Sequence, residues 1–305
     1  MEKNQFSRTA LGAAYARGYH AVCDEPKIFD DFMAFSLLPE GFRANTERQR
    51  AMRLFQLDPE QAASCLTQDA ALAYWMQNWA STSMIISRAR YAEDILAKAV
   101  EQGVKQYVIL GAGLDTFAFR RTDMLEQLQV FEVDHPSTQA LKRHRLSELG
   151  WEIPKQVHFV SVDFTLEGLV EALDRSSYDP KVLSLFSWLG VTYYLPRQAV
   201  YNTLREISDV APMGSTVVFD YSDEKAIISE KEAKRLRYLY AATNRIGEQL
   251  MTSFDASTLS REISGLGLRI EDDLGCSDIE ERYFRGRKDR YHASERSHFA
   301  CAVVI

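Results

Sequence analysis

The stretch that most constrains the fold runs from Tyr107 to Asp115, with the sequence Tyr-Val-Ile-Leu-Gly-Ala-Gly-Leu-Asp. Its apolar run, Val108 to Leu110, is typical of a strand that is buried on both faces of a parallel sheet. Gly111 and Gly113 then allow a tight turn and a close approach of the backbone to a ligand. A helix should follow, with its free N–H groups facing the turn. The stretch therefore predicts the first strand–turn–helix unit of a nucleotide-binding α/β domain.

Two further positions indicate which nucleotide is bound. The dinucleotide fingerprint Gly-x-Gly-x-x-Gly requires a third glycine, but Thr116 stands at that position. The run from Val130 to Asp134 reads as the second strand and ends in a carboxylate, which can accept hydrogen bonds from both hydroxyls of a ribose. Adenine dinucleotide enzymes and S-adenosylmethionine (SAM) enzymes share this device. The missing glycine favours SAM and leaves a nucleotide-dependent oxidoreductase as the alternative.

Composition places the chain among globular proteins and excludes several classes. The 305 residues are 46% hydrophobic and 26% charged, and no apolar run approaches the roughly 18 residues that cross a membrane. The polar N-terminus predicts no signal peptide. Four scattered cysteines without Cys-x-x-Cys spacing indicate reduced thiols in a cytoplasmic protein. A net charge of −7 argues against a nucleic-acid-binding surface. We expect a small-molecule partner, and no metal site is predicted.

The chain is expected to divide after residue 102. Residues 1–102 look helical and predict an N-terminal cap, which either closes over substrate as a lid or only packs on the core. Residues 103–305 carry alternating strands and helices. No crossover helix of ordinary length separates the last two strands, which favours antiparallel pairing. The pattern predicts an α/β class I methyltransferase plan, a mainly parallel seven-stranded sheet with an antiparallel last strand.

Several motifs together resemble those of one family. Gly111 to Thr116 and Phe131 to Pro136 resemble the leucine carboxyl methyltransferase family. That family includes enzymes that methyl-esterify the C-terminal carboxylate of a phosphatase subunit, and bacterial members that act on small molecules, polyketides among them. The strings at 88–91, 162–164 and 190–196 match as well, so the resemblance covers residues 80–200. The closer likeness is to the bacterial small-molecule branch, which implies a Rossmann-like fold and SAM as methyl donor.

The resemblance implies roles for residues around the methionine and ribose parts of SAM. Arg90 would bind the SAM carboxylate, for which a guanidinium fork is well shaped. Gly111 and Gly113 would pass beneath the methionine part and the ribose, and Asp134 would hold the ribose hydroxyls. Arg17 would supply a basic contact from the N-terminal region. Alternatively, the glycines are plain turn residues, Asp134 is a helix cap, and Arg90 is a solvated helix charge.

The adenine side of the site and one departure from the family complete these implied roles. Asp163 and Phe164 would meet the adenine through a hydrogen bond and a ring contact, although Asp163 could also serve only as a helix cap. The family often carries a glutamate, which touches the SAM amino group, where this chain has Leu189. That contact would have to come from backbone carbonyls, from Ser187 or from nothing.

The acceptor side is less defined by the sequence. Tyr193 and Tyr194 are candidates for the pocket wall, although such tyrosines more often only pack. Arg285 and Arg287 lie in the one basic cluster, which either grips an anionic acceptor or is an exposed loop. No catalytic base is assigned, and a carboxylate acceptor would need none because it is already ionised near neutral pH.

These observations predict a SAM-dependent O-methyltransferase that forms a methyl ester on a small-molecule carboxylate. A phenolic hydroxyl of a polyketide-type metabolite is the alternative acceptor. A SAM-binding regulator without catalysis is the alternative from outside enzymology, with Leu189 as its main support.

Overall fold

The computed structural model describes residues 6–79, 81–163 and 166–305. Within them, the strands form a seven-stranded sheet in the order β3-β2-β1-β4-β5-β7-β6. Strands β1 to β5 pair in parallel, and β7 runs antiparallel to both of its neighbours, β5 and β6. The predicted sheet with an antiparallel last strand is therefore confirmed. The strands are β1 (Gln106–Leu110), β2 (Gln129–Asp134), β3 (Val157–Ser161), β4 (Ser184–Trp188), β5 (Thr216–Ser222), β6 (Leu268–Leu274) and β7 (Ser297–Val304).

Helices precede the sheet and then alternate with its strands. The N-terminal helices are α1 (Arg8–Cys23), α2 (Phe42–Leu57), α3 (Pro59–Ser64), α4 (Gln68–Asn78) and α5 (Thr82–Glu101). The later ones are α6 (Phe117–Arg120), α7 (Thr122–Leu125), α8 (Pro136–Glu148), α9 (Leu169–Asp174), α10 (Arg197–Val210), α11 (Glu230–Arg245), α12 (Ala256–Ser264) and α13 (Cys276–Ile279). A 3-10 turn covers Thr192–Tyr194 and a π turn covers Glu280–Phe284. None of the helices in the described ranges is long and apolar enough to cross a bilayer.

Strand β1 is apolar from Tyr107 to Leu110 because both faces of the sheet are covered. Val108 and Leu110 pack into the cluster on one face, and Tyr107 and Ile109 pack into the cluster on the other. All five residues of β1 are buried. Side chains alternate between the faces of a strand, so a strand in the middle of a covered sheet is buried, and mostly apolar, on both faces.

Two of the N-terminal helices begin at residues whose side chains cap them. The Ser7 hydroxyl accepts the backbone N–H of Ala10 at 3.1 Å and starts α1, and Asp58 caps α3 with Pro59 at its first position. Helix α5 differs from the other four, since its buried residues Ile86 and Leu96 share a cluster with the sheet. Helix α5 therefore packs on the sheet as part of the core. The division of the chain at residue 102 stays a prediction.

Candidate cofactor and acceptor site

The predicted glycine turn follows β1 directly. Gly111 has a φ of +68° and Gly113 a φ of +54°, a backbone region that other residues rarely adopt. A Cβ on Gly111 would collide with Cγ2 of Val191, and a Cβ on Gly113 would lie 3.1 Å from Cβ of Ala10. The turn is therefore enclosed by the loop after β4 on one side and by α1 on the other, and it leaves the backbone itself facing the cavity.

The carboxylate of Asp134 lies beside this turn at the end of β2. One of its oxygens accepts the backbone N–H of Gly113, and the other accepts that of His135 at 2.6 Å. Burial raises the pKa of Asp134. Each carboxylate oxygen can accept a second hydrogen bond, so both keep capacity for the two hydroxyls of a ribose. The group fits the implied ribose contact, and it also positions the glycine turn.

The adenine side of the predicted site is described only in part. Asp163 lines the same cavity as Asp134, and its Oδ2 lies 3.7 Å from Nε2 of His135. Its backbone carbonyl accepts the N–H of Leu166 at 2.8 Å. Phe164 lies outside the described residues, so its predicted ring contact is not placed.

The structure brings Arg88, rather than the predicted Arg90, to the cavity. The Arg90 side chain is 52% exposed and its Nε lies 2.8 Å from Asp94. Arg88 is buried and lines the cavity, and its guanidinium packs where a Cβ of Gly190 would be. Two residues along a helix are rotated by roughly 200°, so the two arginines face opposite sides of α5. The spacing of Arg88 from the buried Tyr91 and Ala92 is the sequence signal that separates them.

Asp220, at the end of β5, holds Arg88 in place. Its fully buried carboxylate accepts Nη1 of Arg88 at 2.7 Å, the N–H of Gly190 at 2.7 Å and the hydroxyl of Tyr193 at 2.8 Å. Burial, and next the charge of Asp220, raise the pKa of Tyr193 well above its ordinary value, and burial also raises the pKa of Tyr194. Both tyrosines line the cavity as expected, and both phenols remain protonated hydrogen-bond donors near neutral pH.

Asp220 is a residue that the sequence reasoning did not identify, and it bears on the departure at Leu189. Leu189 and Ser187 both line the cavity. An aliphatic side chain cannot accept a hydrogen bond, and the carboxylate of Asp220, which binds three donors, is not among the residues that line the cavity. The alternatives for the contact with the SAM amino group, namely backbone carbonyls, Ser187 or no contact, therefore stay predictions.

Arg17 lies at the cavity and the two C-terminal arginines do not. Arg17 lines the cavity, with Nε 2.7 Å from Asp31 and Nη2 donating to the carbonyl of Leu114 at 2.8 Å. Its donors therefore serve partly to fasten α1 to the glycine turn.

Arg285 is exposed and pairs with Glu281 on its own turn of helix. Arg287 pairs with Asp289, and its Nη1 donates to the carbonyl of Pro26 at 2.6 Å. Neither arginine is among the residues that line the cavity. The expectation that they grip the acceptor is corrected, because acidic neighbours neutralise both charges locally.

The cavity has a volume of about 1210 Å³, which exceeds the usual range for one small-ligand site. Its inner wall consists of the strand ends described above. Its outer wall consists of residues from α2, α4, α11 and the segment 246–252, including Arg50, Trp75, Trp79, Tyr238 and Glu248. The described part of the chain contains no group of side chains that could hold a metal ion. The space suits a nucleotide-like group on the inner wall and a second molecule against the outer wall.

Comparisons with known proteins agree with this geometry. A sequence model of the family described as leucine carboxyl methyltransferase matches residues 10–208. The chain is 34% identical over 310 residues to a Bacillus subtilis (strain 168) protein described as "Putative S-adenosyl-L-methionine-dependent methyltransferase YktD", with 99% of each chain covered. A Mycobacteroides abscessus protein of the same description is 34% identical over 169 residues, which cover 55% of this chain and 53% of that protein.

Solved structures show the same fold at low sequence identity. A duf574 family protein from Streptomyces avermitilis superposes with a TM-score of 0.55 at 12% identity, covering 96% of this chain and 97% of the other. A protein from Thermobifida fusca whose structure is titled a "putative methyltransferase" also gives a TM-score of 0.55, at 13% identity, covering 78% of this chain and 88% of the other. The fold is therefore the Rossmann-like class I methyltransferase fold that the sequence predicts.

Proposed function

The chain belongs to the leucine carboxyl methyltransferase family and is a SAM-dependent methyltransferase, and from that premise we propose that it methylates an oxygen atom of a small molecule, with a carboxylate as acceptor. When bound, SAM supplies a methyl group on a positively charged sulfur; the acceptor oxygen bonds to that carbon as the C–S bond breaks and the sulfur keeps the electron pair. A carboxylate acceptor gives a methyl ester and releases no proton.

The observation that carries the choice of a carboxylate concerns the basic groups in the described cavity lining. His135 lies at the adenosine end, beside Asp163. His292 pairs with Glu280 at 3.0 Å and its side chain is mostly exposed. The two cavity tyrosines are held protonated by burial. A phenol would need a base with a pKa near neutrality, whereas a carboxylate is already ionised.

The residues of the inner wall would hold SAM in an extended pose. Asp134 would accept the ribose hydroxyls, and Asp163 would accept the exocyclic amine of the adenine. We assign the SAM carboxylate to Arg88 in place of Arg90, because Arg88 faces the cavity and gives only Nη1 to Asp220. A guanidinium has five N–H donors, so several remain. The glycine turn would let the backbone approach the ligand closely. Holding the acceptor oxygen close to the methyl group and in line with the C–S bond would supply much of the catalysis.

A phenolic hydroxyl is the second candidate acceptor. It is favoured by the aromatic side chains of the outer wall, where Trp75 and Trp79 stack with ring centroids 5.8 Å apart. Flat aromatic molecules pack well against such surfaces.

The test combines a binding step with a product assay. Calorimetric titration with S-adenosylhomocysteine should show micromolar binding, and NADH should show none. SAM with a tritiated methyl group is then incubated with matched panels of carboxylic acids, phenols and amines. Mild alkali releases volatile tritiated methanol from methyl esters and leaves aryl methyl ethers and methylamines intact. Base-labile label supports the carboxylate, whereas base-stable label in a phenol would assign the second candidate. Binding without turnover across the panel would favour a non-catalytic regulator.

A further inference from the structure

Arg50, on α2, lines the outer wall of the cavity and rests on two uncharged side chains. Its guanidinium carbon lies 4.3 Å from the centroid of the Tyr15 ring, and its Nη1 lies 2.8 Å from Sδ of Met76. A thioether is only a weak hydrogen-bond acceptor. One face of the guanidinium is therefore supported by side chains of α1 and α4. Its remaining N–H donors are available to the cavity.

Among the residues that the structure describes, the partly buried Arg50 forms no ion pair, unlike two other arginines that line the cavity. Arg17 pairs with Asp31 and Arg88 pairs with Asp220. Burial lowers the pKa of Arg50 to about 10, so the group is still charged at neutral pH. A charge removed from water without a partner is costly, and such a charge at a ligand cavity is suited to an anionic ligand.

The carboxylates on the outer wall are already engaged by other groups. Glu232 accepts the hydroxyl of Ser294 at 2.9 Å and lies 3.5 Å from Arg235. Glu248 accepts the backbone N–H of Arg8 at 2.6 Å, in the first turn of α1. Neither forms an ion pair with Arg50, so the anionic partner of Arg50 has to come from the ligand.

Three aromatic rings also belong to the outer wall. Trp75 of α4 and Trp79, which directly follows that helix, stack at an interplanar angle of 14°, and Tyr238 of α11 meets the Trp75 ring edge-on with centroids 5.5 Å apart. The hydroxyl of Tyr238 accepts Nη1 of Arg53 at 2.6 Å. Arg53 is exposed and, within the described ranges, has no carboxylate partner either. The outer wall thus combines flat apolar surfaces with guanidinium groups.

We propose that the outer wall is an acceptor subsite for an aromatic acid, in which Arg50 holds a carboxylate and the rings of α4 and α11 pack against the aromatic body. The carboxylate held by Arg50 is distinct from the oxygen that receives the methyl group, because a guanidinium that engages both oxygens of a carboxylate lowers their nucleophilicity. The acceptor therefore has an anionic group in addition to its reacting oxygen. This inference rests on the proposed function, since it assigns the outer wall to the acceptor.

The test measures binding without turnover, on the full chain saturated with S-adenosylhomocysteine. Calorimetry compares 2-naphthoate with its neutral counterpart, 2-naphthamide. The wild type should bind 2-naphthoate more tightly. Arg50→Met should lower the affinity for 2-naphthoate by about 10-fold to 100-fold, as expected for a charge-assisted hydrogen-bonded pair. The affinity for 2-naphthamide should change by no more than about twofold. Arg50→Lys, which keeps the charge, should retain part of the preference.

The matched control is Arg43→Met on the same helix. Arg43 also lies over an aromatic ring, 4.2 Å from the centroid of Phe35, but it pairs with Glu47 at 2.8 Å and does not line the cavity. Arg43→Met should leave the affinities for 2-naphthoate and 2-naphthamide unchanged. Equal affinity of the wild type for both probes, no binding of 2-naphthoate, or equal losses for both probes in Arg50→Met would overturn the inference.

The cofactor titration keeps this inference separate from the proposed function. Unchanged S-adenosylhomocysteine affinity in Arg50→Met shows that the fold and the inner wall are intact. A charge-selective outer wall together with label on nitrogen would refute the proposed O-methylation and leave this subsite standing. Base-labile label together with no selectivity for 2-naphthoate would support the proposed methylation of a carboxylate and overturn the Arg50 subsite.

Discussion

Replacing Arg88 by methionine should destabilise the protein far more than the same change at Arg90. Arg88 donates to the carboxylate of Asp220, which is fully buried. Removing one partner of a buried ion pair costs about 3–5 kcal/mol, because a buried charge is left behind. Asp220 keeps two donors, the N–H of Gly190 and the hydroxyl of Tyr193, which places the expected loss near the lower limit, at about 3 kcal/mol.

Arg90→Met is the matched control, since it makes the same substitution two residues along α5. The Arg90 side chain is 52% exposed and pairs with Asp94 four residues later. Exposed pairs of this kind contribute about 0.3–0.5 kcal/mol. Urea unfolding followed by circular dichroism at neutral pH gives the free energies of unfolding for both variants.

A double variant tests whether Asp220 is the cause. Arg88→Met combined with Asp220→Asn should be more stable than Arg88→Met alone, because an amide needs no counter-ion at that position. Similar free energies of unfolding for the two single arginine variants would refute the reasoning. A double variant no more stable than Arg88→Met would show that the arginine contributes through packing and not through its charge.

Three further outcomes are expected. Asp134→Asn should weaken S-adenosylhomocysteine binding by about 1–3 kcal/mol in calorimetry. Because the pKa of Asp134 is raised, the affinity of the wild type should fall as the pH drops through that pKa. The variant should lose this pH dependence. Lys142→Met strands the buried Glu132 and should cost about 3–5 kcal/mol in urea unfolding; a loss below about 1 kcal/mol would show that the pair is dispensable. Gly111→Ala should reduce S-adenosylhomocysteine affinity, and adding Val191→Ala should restore it only in part, since the positive φ remains; full restoration would leave the collision as the sole cause.

The core strands could be predicted because their pattern has one physical reading. A strand covered on both faces is largely apolar, and β1, β2 and β4 each contain a run of two or more apolar residues. The glycine turn and the acid at the end of β2 could also be predicted. The backbone geometry of the turn favours glycine, and the hydrogen bonds expected at the end of β2 favour a carboxylate. The sequence predicts helices in residues 1–102 but not the bounds of α2, since this helix buries only Ala51 and Leu54 and so shows almost no apolar periodicity.

The side chains of the site were harder to predict for three physical reasons. Choosing between Arg88 and Arg90 requires the phase of α5, and a motif match does not supply it. The basic cluster with Arg285 and Arg287 looks like an anion site in sequence, but each charge is neutralised by a close acidic neighbour. The outer wall joins Arg50 to Tyr238 from segments far apart in the chain, a proximity that only the tertiary packing reveals.

The position of β7 in the sheet has a consequence for synthesis. In space this strand lies between β5 and β6, although it follows both along the chain. A nascent polypeptide that has emerged only through β6 therefore exposes an open edge on β5, and β6 has no neighbour with which to form a ladder. Open edges of this kind recruit other chains. Insertion of β7 closes both gaps at once, so we expect that this step removes the open edges from the growing protein.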